Sequence, residues 1–370
     1  MKMTKKKDLG IAVIGAGHMG FLHASIAAAH PAVKFLAIAD LDAARARETG
    51  AKVGAQFTSG DVAQVLARPE IDAVIVATTE TQHMRPVLQS LEAGKHVLSE
   101  TPFAYRLDEV DRMVAAAAAA RTELHICYEM RFKRQYHLAK EQIVQGRLGK
   151  ILGGHGRLYN SRVQGFRNLR HAPGITLSIN ILTYYVDLVC WFLDGNPPVE
   201  VVARGQWGIY KAAGFNEHDV TWALITFADG AVVSLGIDYA FPEKYPSMGQ
   251  SPRLEILGDA GVMLLDEDHK EQLLYTDAGI PHGLIEGNER NMAFMGTSSP
   301  GDWAQGTFWG PLADETRAWL DHHSTGLPCV IATPQEAKRN FEVTLAIDQA
   351  VHSKSVIRLP LERLAPAVAA

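Results

Sequence analysis

Residues Ile11-Ala12-Val13-Ile14-Gly15-Ala16-Gly17-His18-Met19-Gly20 decide the fold. A short apolar run of strand character leads into glycines spaced G-x-G-x-x-G, and a helical pattern over His18–Ala29 follows. A second apolar run, Phe35-Leu36-Ala37-Ile38-Ala39, ends at Asp40. Strand, glycines, helix and acid in this order form the dinucleotide-binding fingerprint. Gly15 permits the tight turn, Gly17 lets the backbone approach a pyrophosphate, and Gly20 lets the helix pack close to the strand. Gly15, Gly17, His18, Met19 and Gly20 are thus the expected phosphate seat, on a helix N-terminus whose free N–H groups and dipole favour an anion. Asp40 is placed to accept bonds from ribose hydroxyls. A carboxylate there repels a 2′-phosphate, so NAD is expected over NADP. A glycine-rich turn without a ligand is the bland alternative, and the complete context weighs against it.

The chain has 370 residues, enough for two domains with substantial cores. It is 47% hydrophobic and 21% charged, an ordinary globular balance. Its net charge is −5 and it carries no large basic block, so nucleic acid is not an expected partner. Lys5-Lys6-Lys7 reads as a solvated tail. The apolar stretch behind it is too short for a secretory signal and runs straight into the glycine motif. No run approaches the roughly 18 apolar residues of a membrane span. The expected location is cytoplasmic, with no membrane partner. Cys127, Cys190 and Cys329 are far apart and form no CxxC, which suggests a reducing compartment and argues against a disulfide framework. No group of His, Cys and carboxylates has metal-ligand spacing, and no metal is expected.

Residues 9–127 alternate short apolar runs with helical stretches. Strands are expected at Ile11–Ile14, Phe35–Ala39, Ala73–Ala77, His96–Leu98 and Leu124–Cys127, with helices such as Val87–Ala93 and Leu107–Ala120 between them. This rhythm predicts a parallel, doubly wound sheet. The pattern then changes. Val220–Ala240 reads as two alternating strands around Asp229-Gly230, a strong hairpin signal. Arg253–Leu265 repeats the idea around Gly258–Gly261. With Ile151–Tyr159 and Val199–Trp207 these predict a large, open, mostly antiparallel sheet in an α+β domain. An apolar helix is expected over Thr176–Leu193, and two more over Leu312–His322 and Pro334–His352. Residues 276–310 lack periodicity and are expected to form a long loop. The expected domains are 1–129, a Rossmann dinucleotide-binding domain, and 130–370, a substrate-binding and oligomerisation domain whose last helix can pack back on the first.

These residues resemble the Gfo/Idh/MocA oxidoreductase family across nearly the whole chain. The carriers are GIAVIGAGHMGFLHA, DAVIVATTETQHMRPVLQSLEAGKHVLSETPFA, RFKRQYHLAKEQIVQGRLGKI and GITLSINILTYYVDLVCWFL. The resemblance implies a Rossmann domain followed by an open antiparallel sheet, and NAD(P) chemistry on sugars, polyols or related carbonyl compounds. It also implies cofactor contacts from Thr78, His83 and Glu100 at strand ends. This chain departs from the family at the reacting groups. The family's Glu-Lys-Pro is Glu100-Thr101-Pro102, so its lysine is Thr101. In the helix motif Asp-x-Gly-x-His, the acid position is Asn180 and the histidine position is Tyr184.

Oxidising an alcohol requires a base for its proton. A free tyrosine has a pKa of about 10, so its ionised form costs about 4 kcal/mol near neutrality. A lysine would lower that cost and Thr101 cannot. A protonated Tyr184 donating to a carbonyl oxygen has no such cost. The site therefore leans toward reduction at neutral pH, or oxidation at alkaline pH. Tyr184 is the expected proton donor and acceptor, with Asn180 and Thr101 orienting the substrate; a half-buried core aromatic is the alternative for Tyr184. Arg167, Arg170 and His171 precede the helix and are candidates for binding an acidic substrate, against the alternative of a solvated loop. Asp187 lies three residues beyond Tyr184 and is expected on the same face. Trp303, Phe308 and Trp309 either cover a ligand or pack. The expected activity is hydride transfer between NAD and a sugar, polyol or cyclic carbonyl compound, in a homodimer or homotetramer. NAD-assisted glycoside cleavage through transient oxidation, and a non-catalytic NAD-binding protein, stay open as rivals.

Overall fold

The computed structural model describes residues 7–172, 174–243, 250–267, 273–281, 287–294 and 300–362. Lys5 and Lys6 of the expected tail lie outside the described residues. The chain divides into two compact units, one of 1–134 with 298–338, the other of 135–297 with 339–370. The segment 298–338 therefore belongs with the nucleotide-binding half.

The first unit begins β1 (Leu9–Ile14), α1 (His18–Ala29), β2 (Val33–Ala39), α2 (Ala43–Val53), β3 (Phe57–Ser59) and α3 (Val62–Leu66). It continues with β4 (Ala73–Val76), α4 (Met84–Glu92), β5 (His96–Ser99), α5 (Leu107–Ala119) and β6 (Leu124–Ile126). The strands pair in parallel in the order β3-β2-β1-β4-β5-β6. β1 and β4 are buried along their whole length, which their unbroken apolar sequences require between two helical layers. The order reverses between β1 and β4, and the carboxyl ends of strands at such a switch point are where ligands bind in these sheets.

The second unit carries α6 (Arg134–Val144), β7 (Ile151–Ser161), α7 (Arg162–His171), α8 (Thr183–Phe192), β8 (Pro198–Gln206) and α9 (Ile209–Ala212). Next come β9 (Val220–Phe227), β10 (Val232–Phe241), β11 (Gln250–Gly258), β12 (Val262–Asp266), β13 (Leu273–Pro281) and β14 (Glu289–Phe294). The chain ends with β15 (Asp302–Ala304), β16 (Thr307–Trp309), α10 (Pro311–Thr325), α11 (Pro334–Ser353) and β17 (Ile357–Arg358). A seven-stranded sheet runs β12-β11-β7-β10-β9-β8-β17, antiparallel except for the β10–β7 pair. Leu254, Leu235, Ala223 and Ala203 face inward in register, as do Ile256, Val233, Ile225 and Val201. The other face leaves Leu224, Val232, Leu257, Val262, Leu264 and Trp222 exposed.

Three sequence expectations change. Residues 276–310 are not one loop, since β13 pairs with β14 and β15 with β16. The arginine-bearing segment is not a loop either: Arg162–His171 is helix α7, capped by the Ser161 hydroxyl, which accepts the Val163 N–H. The apolar helix begins with a π turn over Ser178–Leu182 before becoming α8.

Candidate active site

In the first unit the chain leaves β1 through Gly15, whose φ of +99° lies in the left-handed region. A Cβ on Gly15 would meet Ala77 O at 2.4 Å, and one on Gly20 would meet Gly15 O at 1.8 Å. Both glycines are therefore demanded by the protein's own packing. A Cβ on Gly17 would meet nothing within 4 Å. Gly17 is the N-cap of α1 and has no side chain to cap it. His18 is exposed and Met19 half-buried on the first turn. Thr78 Oγ1, just beyond β4, is buried with no hydrogen-bond partner. An uncapped helix N-terminus, an open glycine and an orphaned hydroxyl fit a dinucleotide phosphate.

Asp40 is already committed. Its Oδ2 accepts the Ala16 N–H (2.7 Å) and Arg45 Nε (3.1 Å); its Oδ1 accepts the Asp42 N–H (2.8 Å) and Arg45 Nη2 (2.6 Å). Burial would raise its pKa, but the Arg45 bond and the two N–H bonds outweigh burial and hold it below the usual carboxylate range. It is therefore an anion paired with a half-exposed guanidinium, and the sequence offered no reason to single out Arg45.

His83 and Glu100 are bonded to neighbouring segments of the first unit. The His83 ring nitrogens face the main-chain oxygens of Pro102 (3.0 Å) and Thr78 (3.1 Å), tying the chain after β4 to the chain after β5. Glu100 Oε1 accepts from His23 Nε2 of α1 (2.8 Å), and its Oε2 accepts the Thr101 N–H (3.1 Å). Glu100 thereby fixes Thr101 at the carboxyl edge of the sheet. Phe308 packs with Leu22 and Ile26, and Trp303 lies 6.1 Å from Phe21, so this hairpin covers α1.

In the second unit, a π turn over Ser178–Leu182 bears on the spacing of Asn180 and Tyr184. An i→i+5 turn holds more residues per revolution than an α turn, so residues four apart fall closer to one line. Asn180 and Tyr184 are both partly exposed, as that geometry requires. Asn180 Oδ1 accepts from Asn168 Nδ2 of α7 (2.7 Å) and from the Tyr239 hydroxyl of β10 (3.3 Å). Asn168 and Tyr239 were not singled out in the sequence, because no motif links them to the helix. Asp187 does not share the partly exposed face. It is 0% exposed and its Oδ1 accepts from Asn340 Nδ2 (2.7 Å), so its place is in the interior and not at a substrate. Arg167, Arg170 and His171 are exposed toward the end of α7, and the Arg170 guanidinium lies 5.5 Å from the Phe166 ring.

Two acidic side chains, Glu217 buried and Asp348 partly buried, sit at the start of this helix. Glu217 accepts the Leu177 N–H (3.2 Å) and the His218 N–H (2.8 Å), and Asp348 accepts the Thr176 hydroxyl (2.5 Å). Burial pushes Glu217 up to about 7 and Asp348 up to about 6, the neighbouring Asp348 adding to the rise at Glu217. Neither residue lies in a recognisable motif.

Comparison with known proteins agrees with this geometry. Residues 9–128 match the Gfo/Idh/MocA model described as an oxidoreductase family with an NAD-binding Rossmann fold, and residues 136–264 match the Gfo/Idh/MocA C-terminal domain. Myo-inositol 2-dehydrogenase of Thermotoga maritima is 28% identical over 272 residues, 72% of this chain and 78% of that protein. The 2,7-anhydro-N-acetylneuraminate hydratase of Mediterraneibacter gnavus is 26% identical over 310 residues, covering 80% of this chain and 78% of its own. The crystal structure of scyllo-inositol dehydrogenase from Lactobacillus casei with NAD(H) and scyllo-inositol superposes with a TM-score of 0.78 at 20% identity, over 95% of this chain and 99% of that one. Among the described residues no helix is long and apolar enough to cross a membrane. The glycine cradle, the parallel sheet that presents it and the two matched domains lead to one conclusion: the chain belongs to the Gfo/Idh/MocA family and is an oxidoreductase with an NAD-binding Rossmann fold.

Proposed function

We propose that this protein transfers hydride between NAD and a polyol, sugar or cyclic carbonyl compound, with Tyr184 exchanging the accompanying proton. The reading is carried by Tyr184 standing beside Asn180 on the π-turned helix, within a family whose relatives include an inositol dehydrogenase. Bound NAD supplies the hydride acceptor or donor. Gly15, Gly17, Gly20 and the N-terminus of α1 would hold its phosphates, Thr78 would offer its hydroxyl, and Asp40 would face the ribose. Tyr184 gives its phenolic proton to a carbonyl oxygen, or takes the proton of a hydroxyl in the reverse direction. Asn180 is held through its Oδ1 by Asn168 and Tyr239, and in this reading its amide nitrogen donates to a substrate oxygen. Thr101, held by Glu100, offers a hydroxyl where the family pattern has lysine. The exposed Arg167 and Arg170 favour an acidic substrate. The test is a panel of inositols, sugars and sugar acids assayed in both directions with NAD and NADP. Turnover of a member, lost in Tyr184→Phe, supports the reading.

A second reading is favoured by the hydratase among the relatives. Hydride leaves the substrate and returns to it within one cycle, so product forms without net change in the nicotinamide. Product analysis beside nicotinamide absorbance separates the two. We further propose that the chain is a cytoplasmic homodimer or homotetramer built on the open face of the seven-stranded sheet. Leu224 and Leu264 lie in one register row of that face, and Val232 and Leu257 in another. An exposed apolar surface of this extent is what an interface covers.

A further inference from the structure

His23 is completely buried on α1, the helix whose N-terminus forms the phosphate seat. Its two ring nitrogens reach two other elements of the first unit. Nδ1 lies 3.0 Å from the Thr316 hydroxyl of α10, and Nε2 lies 2.8 Å from Glu100 Oε1 at the end of β5. The Thr316 hydroxyl is also 2.8 Å from Leu312 O, which can only accept, so the hydroxyl proton goes there. Thr316 Oγ1 therefore accepts from His23 Nδ1–H. A proton also lies between Nε2 and Glu100 Oε1, and imidazole is a stronger base than a carboxylate, so it rests on the ring. Glu100 Oε2 accepts the Thr101 N–H (3.1 Å). His23 thus donates from both nitrogens and Glu100 accepts at both oxygens, the pattern of an imidazolium and a carboxylate.

The sheet order is β3-β2-β1-β4-β5-β6, and in a doubly wound dinucleotide fold each half of the sheet takes one mononucleotide. Asp40 follows β2, so the adenosine side belongs to β1–β3 and the nicotinamide side to the carboxyl ends of β4–β6. Glu100 and Thr101 directly follow β5. The acids packed beside the pair are held in their protonated forms. Burial first, and then Glu129 and Glu100, keep Glu315 well above the usual carboxylate range. Burial first, and then Glu100, Glu315 and Glu129, raise the Cys127 thiol. The oxidised nicotinamide ring is a cation and the reduced ring is neutral. A lone carboxylate at this edge would favour the oxidised ring, whereas one cancelled by an imidazolium would not.

We propose that His23 is a positioning residue of the cofactor site: through Glu100 it holds Thr101 in place, and by cancelling the Glu100 charge it sets the balance of affinity between NAD⁺ and NADH. The proposal rests on the NAD-binding fold and is independent of Tyr184 and of the substrate.

The test needs no substrate. NAD⁺ and NADH are titrated calorimetrically into wild type, His23→Gln, Glu100→Gln and the double variant, with thermal melts of the same preparations. Glutamine at position 23 can still donate to Glu100 but carries no charge. His23→Gln should therefore shift the ratio of the two affinities toward NAD⁺ by at least about threefold. Glu100→Gln should keep the wild-type ratio, and His23→Gln/Glu100→Gln should restore it, because neither leaves an uncancelled charge. A packing defect alone would weaken both nucleotides together and would not be rescued by the second substitution. Spectra of ¹⁵N-histidine-labelled wild type near neutrality should show a ring protonated at both nitrogens, assigned as His23 by its change to a neutral ring in Glu100→Gln. These spectra decide the matter if His23→Gln does not fold. An unchanged ratio in folded His23→Gln, no rescue in the double variant, or the absence of a doubly protonated ring that responds to Glu100→Gln overturns the proposal.

Discussion

Asp40 and Arg45 are joined by two hydrogen bonds, 2.6 Å and 3.1 Å, across the first turn of α2. The acid expected to exclude a 2′-phosphate is thus held by a cation suited to bind one. Cofactor choice depends on the pair rather than on Asp40 alone. Asp40→Ala should weaken NAD binding and free Arg45, so that NADP affinity rises by roughly tenfold to a hundredfold, the scale of a charge-assisted bond. Asp40→Ala/Arg45→Ala should lose that gain. Calorimetric titration of both variants with NAD and NADP checks this. An equal NADP gain in the double variant would show that Arg45 has no part in it.

Gly17 and Gly20 should respond differently to the same change. Gly17→Ala adds a methyl group that meets no protein atom within 4 Å, so the fold should survive with little change in melting temperature. The methyl group instead enters the space assigned to the pyrophosphate, and NAD affinity should fall by at least about tenfold. Gly20→Ala drives the methyl into Gly15 O, so it should lower the melting temperature and the yield of folded protein. Thermal melts beside NAD titrations distinguish the two outcomes.

Glu217 should make the second unit less stable as pH rises toward neutrality. Burial raises its folded pKa from 4.5 to about 7. The folded state therefore keeps a proton that the unfolded chain releases. The stabilisation is fully present below about pH 4.5 and is lost as pH rises through about 7, a change of about 3 kcal/mol. Glu217→Gln should flatten the pH dependence of the melting temperature over this range. A slope identical to wild type would contradict the assignment.

The open sheet face should hold copies of the chain together. Leu224→Lys with Leu264→Lys places charge on the exposed face without touching the buried one. Light scattering should show an oligomer for wild type at micromolar concentration and smaller species for the double variant. A wild-type monomer would contradict the proposal.

The nucleotide-binding half was largely legible in the sequence, because its strands are short and mostly apolar and the first runs into the glycine motif. β3 escaped notice: Phe57-Thr58-Ser59 is too short and too polar to stand out. β13 and β14 escaped because the β13 side chains from Leu274 to Asp277 are mostly exposed and leave no buried alternation to read. The positions of Asn180 and Tyr184 followed from the family resemblance. The burial of Asp187 did not, since the Asn340 that bonds it lies 153 residues away in the chain. The Asp40–Arg45 pair and the Glu217 and Asp348 carboxyls are placed by helix geometry or by distant segments, which no motif connects.

The central claim is that Tyr184 passes the proton in a nicotinamide-dependent reaction on a hydroxyl or carbonyl carbon. The most direct test is the turnover of wild type and Tyr184→Phe on a substrate found in the panel, with NAD affinity measured on the same preparations. The rate in the variant should be lower by about two to four orders of magnitude, the scale of general acid–base catalysis, with NAD affinity unchanged. An undiminished rate in Tyr184→Phe would contradict it.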